Sequence, residues 1–256
     1  IVGTPSGVTL APEGGAHQSV GTPLIGMSQD GLASFEPAFA DELAVIMKWA
    51  FDYLQRDGEG DPCERTWLRD ETGGSVYLRL TTNPIEQPGK RQDVAFKQGA
   101  IDGAYWMRKP GPNCEIVIAY QGAVAPEAIK AAGMIAEGRR DVGVLAVTSA
   151  DRLNAGWTAA QRERSRGNKS AQSHIETLMT DLPPHCKVIS VIDGHPATLS
   201  WLGSVAGHLA IPMGVEHFGQ TGTIGDLYRH YGIDADAIVA AASAMSFGRP
   251  LRSRAG

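Results

Sequence analysis

The sequence has few cysteines, and nothing pairs them. Cys63, Cys114 and Cys186 are odd in number and widely spaced, without a CxxC. That argues against a disulfide framework or a zinc site and fits a reducing, cytoplasmic compartment. No apolar run approaches the ~20 residues that span a bilayer, so no membrane association is expected. There is no basic excess: 23 Lys and Arg stand against 28 Asp and Glu, a net charge of −5, so the electrostatic footprint of a nucleic-acid binder is missing. There is no initiating methionine and no signal peptide. Ile1-Val2 opens as a strand already under way, and the sequence reads as a piece cut from inside a domain of a longer chain. What is there is size. The 256 residues, 43% hydrophobic and 20% charged, suffice for one large or two modest domains with a real core.

Apolar patterning suggests alternating strands and helices. "PLIGMS" (23–28) reads as a short buried strand. Phe35, Phe39, Leu43, Ile46, Met47, Ala50 and Leu54 recur at helical spacing over about 35–55, with Ser34 as N-cap and Phe39, Leu43, Met47 and Leu54 on the inward face. Residues 56–74 are polar and glycine-rich, an exposed loop. "SVYLRLTT" (75–82) is a strand, and "NPIEQPGKRQ" a Pro/Gly-punctuated linker. Further on, 115–120, 142–148, 187–193 and 213–219 read as strands. Residues 125–138, ending at Gly138, and 198–210 read as helices, followed by "IGDLYRHYG" and "DADAIVAAASAM", the latter capped by Asp234. The class is α/β with a mostly parallel sheet. The charged cluster Arg162–Lys169 reads as a solvated surface or a partner contact.

Several motifs fall short. "GQTGTIGD" (219–226) lacks the lysine of a P-loop and the spacing of GxGxxG, so a structural turn is favoured over a phosphate cradle. His174, His185, His195, His208, His217 and His230 form no HExxH or i, i+4 pair. Ser204 lies in GSxxG rather than GxSxG. Asp193 ends a strand, where α/β sheets bind ligands, but a turn-former before Gly194 is the simpler reading. Arg79 reads as structural or surface. "APEGGAHQS" (11–19) sets His17, a side chain that titrates near neutral pH, behind two glycines that let backbone or ligand approach closely. On those nine residues an ordinary turn with a solvated histidine is the simpler reading.

Taken in order, "EGGAHQS", "SFEPAFADELAVIM", "YLRLTTN", "VLAVTSADRLNAGW" and "FGQTGTIGDLYRHYGID" resemble the C-terminal part of the transketolase-like family of thiamine-diphosphate enzymes. Within it, they are most similar to the homodimeric pyruvate (2-oxo acid) dehydrogenase first components. The resemblance spans nearly the whole chain. It implies the later part of a pyrimidine-binding domain over 1–90, a linker over 91–110 and a transketolase C-terminal-like domain over 111–256. It implies a decarboxylating enzyme that forms an enamine on the cofactor and passes the acyl group to lipoamide. The expected setting is a homodimer docked on an acyltransferase core, with thiamine diphosphate and magnesium as cofactors.

By position, the resemblance makes His17 the catalytic histidine facing thiazolium and substrate, with Glu13 and Gln18 as substrate-binding residues; it assigns no cofactor or metal ligand in this chain. The family's GDG…N motif and its activating glutamate are not in this sequence. Residues 1–256 alone are therefore expected to be inactive and to bind the cofactor weakly or not at all. Sugar transketolases carry Arg-Gln-Asn where this chain has Thr81-Thr82-Asn83. Without an arginine to clamp a sugar phosphate, a small 2-oxo acid is the better substrate. The alternatives are a sugar transketolase, or a non-catalytic dimerisation and docking module.

Overall fold

A computed structural model describes residues 1–29, 31–58, 70–138, 140–217 and 219–247. Cys63 and most of the expected 56–74 loop lie outside these residues. Two sheets organise the chain. In the smaller, β1 (Val2–Gly3) and β2 (Leu32–Phe35) flank β3 (Ser75–Arg79), all parallel. In the larger the order is β4 (Ala104–Arg108), β6 (Val142–Val147), β5 (Ile116–Gln121), β7 (Lys187–Ile192) and β8 (Ala210–Met213). Only β4 runs antiparallel.

The large sheet is buried on both faces, as a parallel sheet with helices on each side must be. Ile116, Ile118 and Tyr120 of β5 point into a layer closed by α4 (Ala125–Glu137) and α9 (Ala235–Phe247). Val117 and Ala119 point the other way, toward residues of α5 (Ala150–Ser165) and α6 (His174–Met179). Residues of opposite parity therefore serve opposite cores, and a near-continuous Val/Ile/Ala run results. Asp234 caps α9, accepting from Ala237 N at 3.0 Å. The 162–169 charges end α5 on the surface, where Arg164 pairs with Glu176 of α6 at 2.7 Å.

Several expectations are corrected. "PLIGMS" is not a strand but the body of α1 (Thr22–Ser28). Pro23 sits in its first turn, where a missing N–H costs nothing, and a short apolar run carries no decisive period. The helix expected from 35 begins only at Ala40, as α2 (Ala40–Tyr53). Pro37 holds its predecessor extended, and the Glu42 carboxylate accepts from Ala38 N and Phe39 N at 2.7 and 2.9 Å, closing the helix start. Ser34 is therefore a strand residue rather than an N-cap. The inward face of α2 is Glu42, Ile46, Trp49, Ala50 and Tyr53, whereas Met47 and Leu54 are 38% and 47% exposed.

The stretch expected as linker contains α3 (Val94–Asp102) and β4. Asp93 caps α3 through Phe96 N at 2.8 Å, and Gly103 ends it at φ 109°. Residues 198–210 hold only the short α7 (Leu202–Val205). A Cβ on Gly203 would lie 2.6 Å from that of Ala210, and Gly207 turns at φ 72°, so the chain folds back and β8 starts at Ala210 instead of 213. β8 is an edge strand, which tolerates Pro212.

Candidate functional site

The loop carrying His17 is a pair of 3₁₀ turns over Ala11–His17, kinked at Gly14, with Pro12 in the first turn. Gly14 stands at φ 68°, and a Cβ there would come 2.6 Å from Thr221 Cγ2. Only glycine lets the two loops meet. Gln18 then crosses 201 residues of sequence: its Oε1 accepts from Gly219 N at 2.7 Å and its Nε2 donates to the Gln220 carbonyl at 2.8 Å. The loop is thus tied to the segment leading into α8 (Ile224–Tyr231). Gln18 is brought to a specific partner, while the side chains of Glu13 and His17 are exposed. The 219–226 stretch behaves as a turn. Thr223 caps α8 by accepting from Asp226 N at 3.2 Å, and Gly219 N is taken by Gln18.

Beneath this loop lies a buried polar network that the sequence reading did not assemble. Arg79, at the end of β3 and 1% exposed, donates Nε to Thr22 Oγ1 at 3.0 Å. Its Nη2 donates to the Ser19 and Asp193 carbonyls at 2.9 and 2.7 Å, and its Nη1 pairs with Glu36 Oε1. Glu36 also accepts from Gln121 Nε2, at the end of β5, at 2.9 Å. Asp193, just past β7, accepts from Val8 N at 3.0 Å and from Tyr228 OH of α8 at 3.1 Å. β2, β3, β5 and β7 each reach the cluster with the C-terminal end of the strand or the loop after it, the edge where open α/β sheets place their sites.

Gly7 and Gly122, at φ 54° and 67°, pack against the two carboxylates. Gly7 also bridges Ser19, closing the loop's base. Of the two readings open for Arg79, the structure takes the structural one. Asp193 does more than form a turn. Burial raises its carboxyl to about 6, against the pull of Arg79. Burial likewise raises Glu36 well above the ordinary glutamate range, opposed by Arg79 and Gln121. The one sequence signal for this cluster was an arginine in an otherwise apolar strand.

The remaining histidines are structural where they have described partners. His174 Nε2 meets the Ala104 carbonyl at 2.7 Å, and His208 Nδ1 the Cys186 carbonyl at 2.9 Å. Among the described residues no group of three His, Cys, Asp or Glu side chains is placed to hold a metal ion. Nor is any helix there long and apolar enough to cross a membrane.

No family model matches the chain. The pyruvate dehydrogenase E1 component of Mycolicibacterium smegmatis is 25% identical over 249 residues, 94% of this chain and 25% of that protein. The E1 component of Corynebacterium glutamicum is 24% identical over 251 residues, with the same shares. Transketolase from Pichia stipitis, solved with sedoheptulose-7-phosphate, has a TM-score of 0.67 at 17% identity, over 96% of this chain and 30% of that one. In sequence and in fold, the chain is similar to the transketolase-like family. The chain spans about a quarter of the length of the curated relatives it matches. Its large sheet, parallel but for β4, is that of a transketolase C-terminal-like domain.

Proposed function

We propose that this chain is part of the decarboxylating component of a thiamine-diphosphate-dependent 2-oxo acid dehydrogenase, which passes its acyl group to lipoamide on an acyltransferase core. The observation that carries this reading is the match to two pyruvate dehydrogenase E1 components along 94% of the chain. A second point favours a 2-oxo acid over a sugar phosphate. The strand end that would need a phosphate-gripping arginine offers Thr81 and Thr82. The arginine that is there, Arg79, is 1% exposed and has its donors engaged by Thr22, Glu36, Ser19 and Asp193. A bidentate clamp cannot be made from it.

When bound, thiamine diphosphate supplies the electron sink for decarboxylation, and the protein supplies placement and charge. In our reading the ligands of the diphosphate and its Mg²⁺ lie on other parts of the full-length protein, since the family's GDG…N motif is not in this sequence. In our reading this chain contributes His17, exposed on a loop anchored by Gln18 and Asp193, to donate to the oxyanion that develops on the substrate and to carry protons. Glu13 and Gln18 border the substrate, and the working assembly is a homodimer.

The test is the full-length protein supplied with thiamine diphosphate and Mg²⁺. Release of CO₂ from pyruvate or another 2-oxo acid is the expected result. Ketol transfer from a ketose phosphate, without decarboxylation, overturns the reading in favour of a sugar transketolase.

A further inference from the structure

At the opposite edge of the large sheet, away from the His17 loop, two nucleophilic side chains lie in contact. Cys114, in the turn before β5, and Cys186, just before β7, place their Sγ atoms 3.8 Å apart, and neither is in a disulfide. β5 and β7 are hydrogen-bonded neighbours, with Ile116 opposite Lys187. Adjacent strands lie about 4.8 Å apart, within the span a disulfide bridges. Both sulfurs sit in one apolar layer with Val117 and Val188, so neither side chain needs to change face to reach the other. Both are buried, but Cys186 also borders a groove of about 1040 Å³ lined by Arg140, His185, Lys187 and Leu209.

We propose that Cys114 and Cys186 form a redox modification site that closes to a disulfide when a hydroperoxide enters this groove. The Cys186 thiol donates to Cys114, which holds the Cys114 thiol below the ordinary cysteine range and pushes Cys186 up. The form of the pair that reacts has lost one proton, and the one that remains lies on Cys186, directed at Cys114. With hydrogen peroxide in the groove, the Cys186 proton passes to Cys114 as the Cys186 sulfur attacks a peroxide oxygen. The O–O bond breaks, and the departing hydroxide takes that proton from Cys114 and leaves as water. Cys186 is then a sulfenic acid and Cys114 again a thiolate. The thiolate attacks the Cys186 sulfur, the S–O bond breaks and hydroxide departs. Two thiols are oxidised, one peroxide is reduced, and the sulfurs close by less than ~2 Å. A small thiol reductant reverses the bond by exchange. The sulfur of the residue bordering the groove takes the oxygen and its neighbour resolves it, which limits further oxidation to the sulfinic acid.

The experiment treats the native full-length protein with a small excess of hydrogen peroxide, alkylates it and maps its peptides without reduction. The expected result is a linked peptide pair joining Cys114 to Cys186, with both thiols lost from labelling and both recovered by dithiothreitol. The link is absent in Cys114→Ala, where Cys186 is left as a sulfenic acid that dimedone traps. Because the mapping is done on the unsubstituted protein, a destabilised variant does not decide the outcome. Three results overturn the proposal: both thiols are still labelled after peroxide once urea exposes them; Cys186 or Cys114 is recovered as sulfinic acid without a link; or the link joins Cys63 instead.

Discussion

Arg79, from the small sheet, donates to the main-chain carbonyl of Asp193, from the large sheet, at 2.7 Å and out of contact with solvent. The same guanidinium pairs with Glu36 and holds the Ser19 carbonyl two residues past His17. One side chain thus joins both sheets and the base of the loop on which the proposed chemistry depends. Arg79→Met leaves Glu36 buried without its cation and should cost about 3–5 kcal/mol, the range for breaking a buried pair. Arg79→Lys keeps the charge but not the planar fork and should fall between. Adding Glu36→Gln to Arg79→Met should recover part of the loss, a coupling visible in a double-mutant cycle. Urea denaturation measures all four forms. A loss below ~1 kcal/mol for Arg79→Met contradicts the role given to it.

Acid groups buried without full compensation set the pH dependence. Asp151, in the first turn of α5, accepts from Ser34 N at 2.9 Å, and burial lifts its carboxyl to about 7. Between its ordinary value of 3.8 and about 7 the native state holds a proton that the unfolded chain has lost. The unfolded state binds fewer protons there, so stability falls as pH rises through that window and levels off above it. Asp193, raised to about 6, and Glu36 act in the same direction. Asp151→Asn keeps an oxygen for Ser34 and removes the titration, so the slope of melting temperature against pH between 4 and 7 should become shallower. An identical slope in the variant contradicts the assignment.

The face of α2 gives a direct packing test. Ile46 is fully buried, whereas its neighbour Met47 is 38% exposed. Ile46→Ala should cost about 2–5 kcal/mol and Met47→Ala within ~0.5 kcal/mol. Denaturation midpoints that rank the two the other way would restore the face first read from the sequence.

Legibility followed the strength of the physical signal. β5, β6 and β7 were plain in the sequence because a strand buried on both faces is apolar at nearly every position, and turn residues flank each run. α3 and β4 were missed because Pro88 and Gly89 mark a boundary just before them, and Asp93 reads as one more polar residue until it caps a helix. The period of α2 was correct but its phase was not. Phe35, Met47 and Leu54 fit a helical repeat, yet Pro37 delays the helix and turns Ile46, Trp49 and Tyr53 inward. At the site, the Gly-Gly-x-His-Gln loop stood out by its glycines. Glu36 lies 85 residues from Gln121, and Asp193 lies 35 from Tyr228; only the fold brings them around Arg79.

The most direct test of the central claim is His17→Ala in the full-length protein, with turnover of a 2-oxo acid and thiamine diphosphate binding measured on the same preparation. Loss of one donor to a developing oxyanion typically lowers the rate by about 10²–10³. The account therefore expects kcat to fall by that factor while cofactor Kd stays nearly unchanged, because the interaction is made only as charge develops. A variant that turns over near the normal rate would contradict it and make His17 a solvated residue of an ordinary turn.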